Sequence, residues 1–322
     1  MTPEEFGEFD IGAVTANAIG GLAYIHGDMQ RLWSQDPDEV SVYGSIAWFY
    51  AVNTGQISIR HGLRGSSCTL SAEQAGGLDA IGEARRAVRS GVPLILCGGV
   101  DSALDPLGWV SMIASGKVSS ACSVDEGYLP FDERANGYIP GEGGAMLLLE
   151  NADRARRRGR SAYGELAGYA ATFDPAPGSL RLPGLRRSAE LAMADAGIGP
   201  SQIDAVFADA AGTLEQDIAE ANAISGIFGP MAVPVTAPKA ATGRLFSGGG
   251  PLDVVTALLA MRDGLLPPTE NVRRLPRQYS IDLVRDAPRV GRYEHVLVLA
   301  RGHGGFNAAL VLRRGEGVGA AP

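Results

Sequence analysis

A layered α/β fold is predicted for this chain, and three observations predict it. Short, continuous apolar runs carry the pattern of strands buried on both faces. Amphipathic helical stripes alternate with them. One order of elements, namely helix, short connection, buried strand and small-residue turn, occurs twice.

Taken along the chain, a first helix starts near Gln74. Leu78, Ile81, Ala84 and Val88 recur there at spacings of three, three and four, and Gly91 is a stop signal. The run Leu94-Ile95-Leu96-Cys97 follows as a strand and ends in the turn Gly98-Gly99. A second apolar run covers Ala145 to Leu149. Another helical segment from Ala189 leads to the strand Ala205-Val206-Phe207-Ala208 and the turn at Gly212, and Val296 to Ala300 is the last strand. Leu78 to Gly99 and Ala189 to Gly212 share their order, which points to an internal duplication. Residues 174–178 and 273–278 read as surface loops, and 315–322 as a frayed, disordered tail.

Composition bounds the class. The 322 residues are 45% hydrophobic and 20% charged, enough for a large core in one large domain or two tightly joined halves. A net charge of −8 argues against nucleic acid as a main partner, because neutralising phosphates needs a basic face. No apolar run reaches the roughly 18 residues of a membrane-spanning helix. The acidic start, Met1-Thr2-Pro3-Glu4-Glu5, is unlike a signal peptide, so no membrane association and a cytoplasmic location are expected. Only two of the 28 basic residues are lysines, Lys117 and Lys239, a bias of a GC-rich genome rather than of a function. Cys68, Cys97 and Cys122 show neither metal-ligand spacing nor disulfide density, and read as buried or partly buried thiols.

The helix start at Gln74 is the most informative position. Unpaired backbone N–H groups and the positive end of the helix dipole would there lower the pKa of a cysteine and stabilise an anion. A glutamine amide offers two donors and one acceptor, but it is a poor nucleophile. It can bind; it cannot form a useful thioester.

The stretch from Pro130 to Ala145, Pro-Phe-Asp-Glu-Arg-Ala-Asn-Gly-Tyr-Ile-Pro-Gly-Glu-Gly-Gly-Ala, resembles the signature loop and following strand of β-ketoacyl synthases. Gly98-Gly99-Val100-Asp101, Val235 to Lys239 with Thr242-Gly243-Arg244, and Gly302 to Asn307 extend the likeness over essentially the whole chain. Ser45 to Tyr50, Asn53 to Gly62 and Ala72 to Asp79 narrow it to the chain length factors, or ketosynthase β subunits, of type II aromatic polyketide synthases. The resemblance implies a thiolase-like fold, layered α-β-α-β-α, with pseudo-duplicated halves at 1–160 and 161–314. Relatives begin upstream of the segment that matches Met1, so the start of the first half is expected to be missing and a sheet edge exposed.

The resemblance also locates the catalytic positions of an active ketosynthase, a cysteine and two histidines. The cysteine position holds Gln74, the first histidine position Ala211 and the second Arg244, while the accompanying Lys239 is retained. The chain's four histidines, His26, His61, His295 and His303, match neither catalytic position, and His303 falls where many ketosynthases have a gating phenylalanine. No catalytic residue and no metal are therefore expected. By resemblance the chain condenses nothing alone. It pairs as a heterodimer with an active ketosynthase α subunit, an acyltransferase, in aromatic polyketide and antibiotic biosynthesis. It has no cofactor of its own, because the acyl chain rides on the phosphopantetheine of a separate acyl carrier protein.

The growing poly-β-ketone is then expected in a tunnel along the heterodimer interface, where bulky side chains limit its length by overpacking. The family's gate maps onto Leu22, Ile25 and Met29, spaced on one helical face, and onto Leu107. Spacing alone would read the first three as core. Aliphatic and thioether side chains at these sites imply a deeper tunnel and a longer product than aromatic gates give. The alternative is a malonyl-carrier decarboxylase that supplies an acetyl primer through Gln74, with Arg244 attracting the malonyl carboxylate.

Overall fold

The computed structural model describes residues 6–176, 178–179, 181 and 183–315, so of the tail expected at 315–322 only Gly315 falls within the described residues. The chain runs β1 (Ile11–Ala16), α1 (Leu22–Ser34), α2 (Gly44–Trp48), α3 (Val52–His61), β2 (Cys68–Leu70), α4 (Gly76–Arg89), β3 (Leu94–Ser102), α5 (Pro106–Ala114), α6 (Val124–Gly127) and β4 (Glu142–Glu150). After α7 (Ala152–Arg157) come β5 (Gly164–Phe173), α8 (Gly184–Asp195), β6 (Ala205–Phe207), α9 (Leu214–Phe228), β7 (Pro234–Thr236), α10 (Lys239–Thr242) and α11 (Gly249–Asp263). Five strands close the order: β8 (Leu265–Leu266), β9 (Asp282–Leu283), β10 (Arg289–Val290), β11 (His295–Arg301) and β12 (Phe306–Arg314).

Two sheets carry the fold. The first has the order β2-β1-β3-β4 and the second β5-β12-β11-β6-β7-β9. In the first, β2, β1 and β3 are parallel and β4 is antiparallel. In the second, β7, β6 and β11 are parallel and β12 is antiparallel. The series β7-β6-β11-β12 thus repeats β2-β1-β3-β4 in order and direction. This duplication differs in register from the sequence expectation. The α4–β3 segment leads to the counterpart of β11, whereas α8–β6 leads to the counterpart of β1. A helix followed by a strand is common to every parallel crossover, so only the hydrogen-bonded neighbours decide which units correspond.

Packing produces the layers. Val14 and Ala16 of β1, and Ile95 and Cys97 of β3, join one buried cluster with Leu78, Ile81 and Ala84 of α4, Val254 and Ala257 of α11, and Val296 and Val298 of β11. The stripe read from the sequence is thus the layer between the sheets. Alternate residues point the other way. Thr15 of β1 bonds Thr54 of α3 at 2.7 Å, and Thr54 bonds Thr69 at 2.7 Å, which sets α3 on the far face of the first sheet. Leu185 and Ala189 of α8 and Ala221 and Ile224 of α9 cover the far face of the second.

The run at Ala145–Leu149 departs from the expected two-sided burial. Strand β4 is the last of its sheet, and Leu148 is 52% exposed, because among the described residues no strand pairs with its outer edge. Cys97 is buried and Cys68 half-buried as expected, but Cys122 is exposed, in the loop before α6 where no sheet covers it. Among the described residues no helix is long and apolar enough to cross a membrane.

Both central helices begin from one-turn 3-10 segments, Glu73–Ala75 before α4 and Phe246–Gly248 before α11. Glu73 and Phe246 hold matching left-handed conformations, φ 49° and 51°. Such strain costs about 1–3 kcal/mol per residue and concentrates at functional sites. Ser247 Oγ donates to the Glu73 carbonyl at 3.1 Å, joining the two turns.

Candidate functional site

Gln74 lies within this junction, fully buried. A Cβ at Gly249 would come within 2.4 Å of its Nε2, so glycine at the start of α11 makes room for the amide. Neither amide atom has a hydrogen-bond partner among the described residues. An unpaired buried amide is costly, roughly 1–3 kcal/mol, and the position keeps it nonetheless.

The loop Asp209-Ala210-Ala211-Gly212 leaves β6 and folds over the start of α9. Ala210 is left-handed, at φ 50°. Glu220 accepts the N–H groups of Asp209 and Ala210, both at 2.7 Å, and Asp217 accepts those of Gly212 at 3.0 Å and Phe131 at 2.8 Å. Burial first, and then repulsion from Asp209, raises the Glu220 carboxyl to about 7. Burial, aided by Glu220, raises Asp217 to about 7. Ala211 contributes only a methyl group, 3% exposed.

Arg244 fills the centre. Its Nε lies 3.4 Å from Glu73 Oε1 and its NH1 3.4 Å from Asp209 Oδ2, while NH2 donates to the Arg301 carbonyl at 2.8 Å. The guanidinium also stands over the Tyr138 ring at 5.3 Å, a cation–π distance. Burial opposes its charge, but Asp209 and Glu73 outweigh burial and hold it protonated. Every edge of the planar fork therefore faces a partner inside the protein.

Lys239 sits one layer deeper. Its Nζ donates to the Ala208 carbonyl at 2.5 Å and pairs with Asp253 of α11 at 2.6 Å. It thereby holds β6 to α11 beneath the Ala211 loop. His303 lies on the exposed loop between β11 and β12. Its backbone N–H donates to Glu73 Oε2 at 2.8 Å, and its Nδ1 is 2.6 Å from Lys117 Nζ. Burial, and the neighbouring Arg244 and Arg301, lower the Lys117 pKa.

The structure thus joins Gln74, Arg244 and His303 through Glu73, and Ala211, Arg244 and Lys239 through Asp209 and Ala208. Glu73, Asp209, Asp253 and Lys117 had been given no site role from the sequence. The pattern offered one signal for the first, an acid next to Gln74, and none for the others, whose roles arise from contacts between distant segments. The Gln74 position itself offers an amide in place of a thiol, and the hydroxyl beside this turn, that of Ser247, is taken up by the Glu73 carbonyl. Burial raises the Cys68 thiol, which lies on β2 rather than at the helix start. Among the described residues no group of three or more His, Cys, Asp or Glu could hold a metal ion.

The four positions expected to form a gate lie outside this centre. Leu22, Ile25 and Met29 share α1, Leu107 is in the first turn of α5, and the two helices pack together. All four are half-buried rather than core. Leu22 packs against a small cluster that includes Ile19, Tyr138 and Phe246. Tyr138 and Phe246 meet edge-on at 6.2 Å, so the cluster reaches from α1 to the ring beneath Arg244. Asp101 positions α1: its carboxylate accepts the N–H groups of Ala18 and Ile19 just ahead of that helix and of Ser247 ahead of α11. Burial raises Asp101 to about 6 despite those bonds.

Large apolar side chains stand exposed on the outer side of α1 to α3. Trp33 is 84% exposed and Ile59 78%, with Val42, Tyr43, Ile46 and Phe49 between them in sequence. Exposed apolar side chains recurring along one segment are what a protein interface would cover.

Comparison with known proteins gives this geometry a context. Residues 1–155 match the family "Beta-ketoacyl synthase, N-terminal domain" and residues 163–273 "Beta-ketoacyl synthase, C-terminal domain". The chain is 62% identical to the actinorhodin polyketide putative beta-ketoacyl synthase 2 of Streptomyces coelicolor, over 97% of this chain and 77% of that protein. It is 51% identical to the tetracenomycin polyketide synthase ketoacyl synthase beta subunit of Streptomyces glaucescens, over 98% of this chain and 77% of that one. Among solved structures, a type II polyketide acyl carrier protein in complex with its ketosynthase bound to the hexaketide superposes with a TM-score of 0.91 at 25% identity, covering 98% of this chain and 80% of that one. The ishigamide ketosynthase/chain length factor superposes with a TM-score of 0.88 at 25% identity, over 98% and 77%.

Proposed function

This chain belongs to the β-ketoacyl synthase family, and from that premise we propose that it is a chain length factor, the non-condensing subunit of a type II polyketide synthase. It pairs with a ketosynthase α subunit, whose cysteine carries the growing chain, and it helps to set the length of the poly-β-ketone. The observation that carries this reading is Arg244. Where an active ketosynthase needs a histidine, the chain places a guanidinium neutralised by Glu73 and Asp209 and bonded to Arg301. Together with Gln74 and Ala211, it removes nucleophile, base and oxyanion donor at once.

The remaining parts fit a subunit that measures the chain. The apolar face of α1 to α3 suits the partner subunit, and the gate positions Leu22, Ile25, Met29 and Leu107 lie on α1 and α5 beside it. The acyl chain arrives on the phosphopantetheine of a separate carrier protein, and the cytoplasm is the compartment of the reaction. The division into halves at 1–160 and 161–314 belongs to the same reading. Side chains lacking aromatic rings at the gate favour a longer product.

The unpartnered amide of Gln74 favours a second reading, decarboxylation of malonyl-loaded carrier protein to supply an acetyl primer. Arg244 weakens it, because its fork is already engaged and cannot pair with a malonyl carboxylate without breaking internal ion pairs. Co-expression with an α subunit and carrier protein tests the primary reading: product is expected only when this chain is included, and Leu107→Trp should shorten it. Unchanged product without the chain would overturn the subunit role. Acetyl product from the chain incubated alone with malonyl-loaded carrier would establish the second reading. Gln74→Cys should restore no condensation, since Ala211 and Arg244 still replace both histidines.

A further inference from the structure

The two gate helices share a polar contact that the chain-length reading leaves unused. His26 stands on α1, one residue after Ile25 and three before Met29, on the flank of the face that carries the gate. Its Nδ1 is 3.9 Å from Oδ1 of Asp105, the N-cap of α5. The same oxygen accepts the backbone N–H groups of Leu107 at 2.9 Å and Gly108 at 3.1 Å. The second carboxylate oxygen is buried without a hydrogen-bond partner. Asp105 is only 9% exposed, and the His26 side chain 27%.

Asp105 therefore touches α1 through His26 and fixes the first turn of α5 through the amide of Leu107, itself a gate residue. Among the described residues no hydrogen bond and no other close pair of ionisable side chains joins α1 to α5. The apolar contacts between these helices are non-directional and permit sliding, whereas an imidazole N–H brought within hydrogen-bonding distance of a carboxylate is directional. Closing 3.9 Å to a hydrogen-bonded distance takes a shift of about 1 Å.

We propose that His26 and Asp105 form a polar clasp that sets the spacing of the gate helices, making His26 a positioning residue for chain-length control. The inference rests on reading Leu22, Ile25, Met29 and Leu107 as the gate. The test uses the subunit co-expressed with its α partner and carrier protein, with the ratio of longer to parent-length polyketide measured by mass alongside total yield. His26→Ala should raise that ratio about threefold, the scale of a weak, partly exposed polar contact. His26→Gln, whose amide can still donate to Asp105, should return it to near the parent value. Leu107→Trp in the same host reports on the gate itself. If Leu107→Trp shortens the product while His26→Ala leaves the ratio unchanged, or only lowers yield, the clasp is overturned and the gate stands. A His26→Gln ratio as high as that of His26→Ala overturns the clasp too. No shortening by Leu107→Trp removes the gate reading and the clasp with it.

Discussion

Arg244 Nε lies 3.4 Å from Glu73 Oε1, so a residue beside the second 3-10 turn neutralises one at the first, 171 positions earlier in the chain. The guanidinium holds together the Gln74 turn, the Asp209 loop and the end of β11. Around it these segments form a buried ion cluster.

Arg244→Leu should therefore cost stability rather than activity of its own. It strands Asp209, which is fully buried, without a cation, and breaking such a pair costs about 3–5 kcal/mol. A marked fall in the denaturation midpoint of the co-purified subunits is expected. Adding Asp209→Asn, which keeps an acceptor for the Arg301 N–H, should recover part of it.

Gly249→Ala should destabilise by about 1–3 kcal/mol through overpacking, because the new methyl lies 2.4 Å from Gln74 Nε2. Gln74→Ala in the same chain removes the clash and the orphaned amide together. Thermal unfolding of the four members of this double-mutant cycle should give a coupling that favours the double variant.

Stability should fall as pH rises from about 4, the ordinary carboxylate pKa, to about 7. Burial raises Glu220 and Asp217 to about 7 in the folded chain, so between those limits the native state binds more protons than the unfolded one. The sign is opposite to that of a salt-bridged carboxylate. Denaturation midpoints measured across this window check it, and Glu220→Gln should flatten the slope.

Phe49→Glu, at a side chain 62% exposed and away from the ion cluster, should leave the fold intact but weaken pairing with the α subunit. A central aromatic contact is worth about 2 kcal/mol, or roughly 30-fold in affinity. Co-purification and sedimentation would show the loss, with the circular dichroism spectrum unchanged.

Much of this was legible in the sequence. The stripe Leu78, Ile81, Ala84 marked α4, and the runs at Leu94, Ala205 and Val296 marked strands, because burial on two faces leaves an apolar signature. The motifs also singled out Gln74, Ala211 and Arg244, and folding gathers these three segments around one ion cluster. The exposure of Leu148 was not legible, since an apolar run reads alike in a central strand and at an edge. The pairing of the repeats was not, since every crossover presents a helix and then a strand.

The sequence by itself determined the layered class, the family motifs and the absence of a nucleophile at Gln74, because each is written in local composition and spacing. Only the tertiary structure decided what Arg244 does. Glu73, Asp209 and Arg301 lie 171, 35 and 57 positions from it, and no periodicity reports contacts between such distant segments. Folding brings these charges into one low-dielectric space, where an arginine must be neutralised to remain.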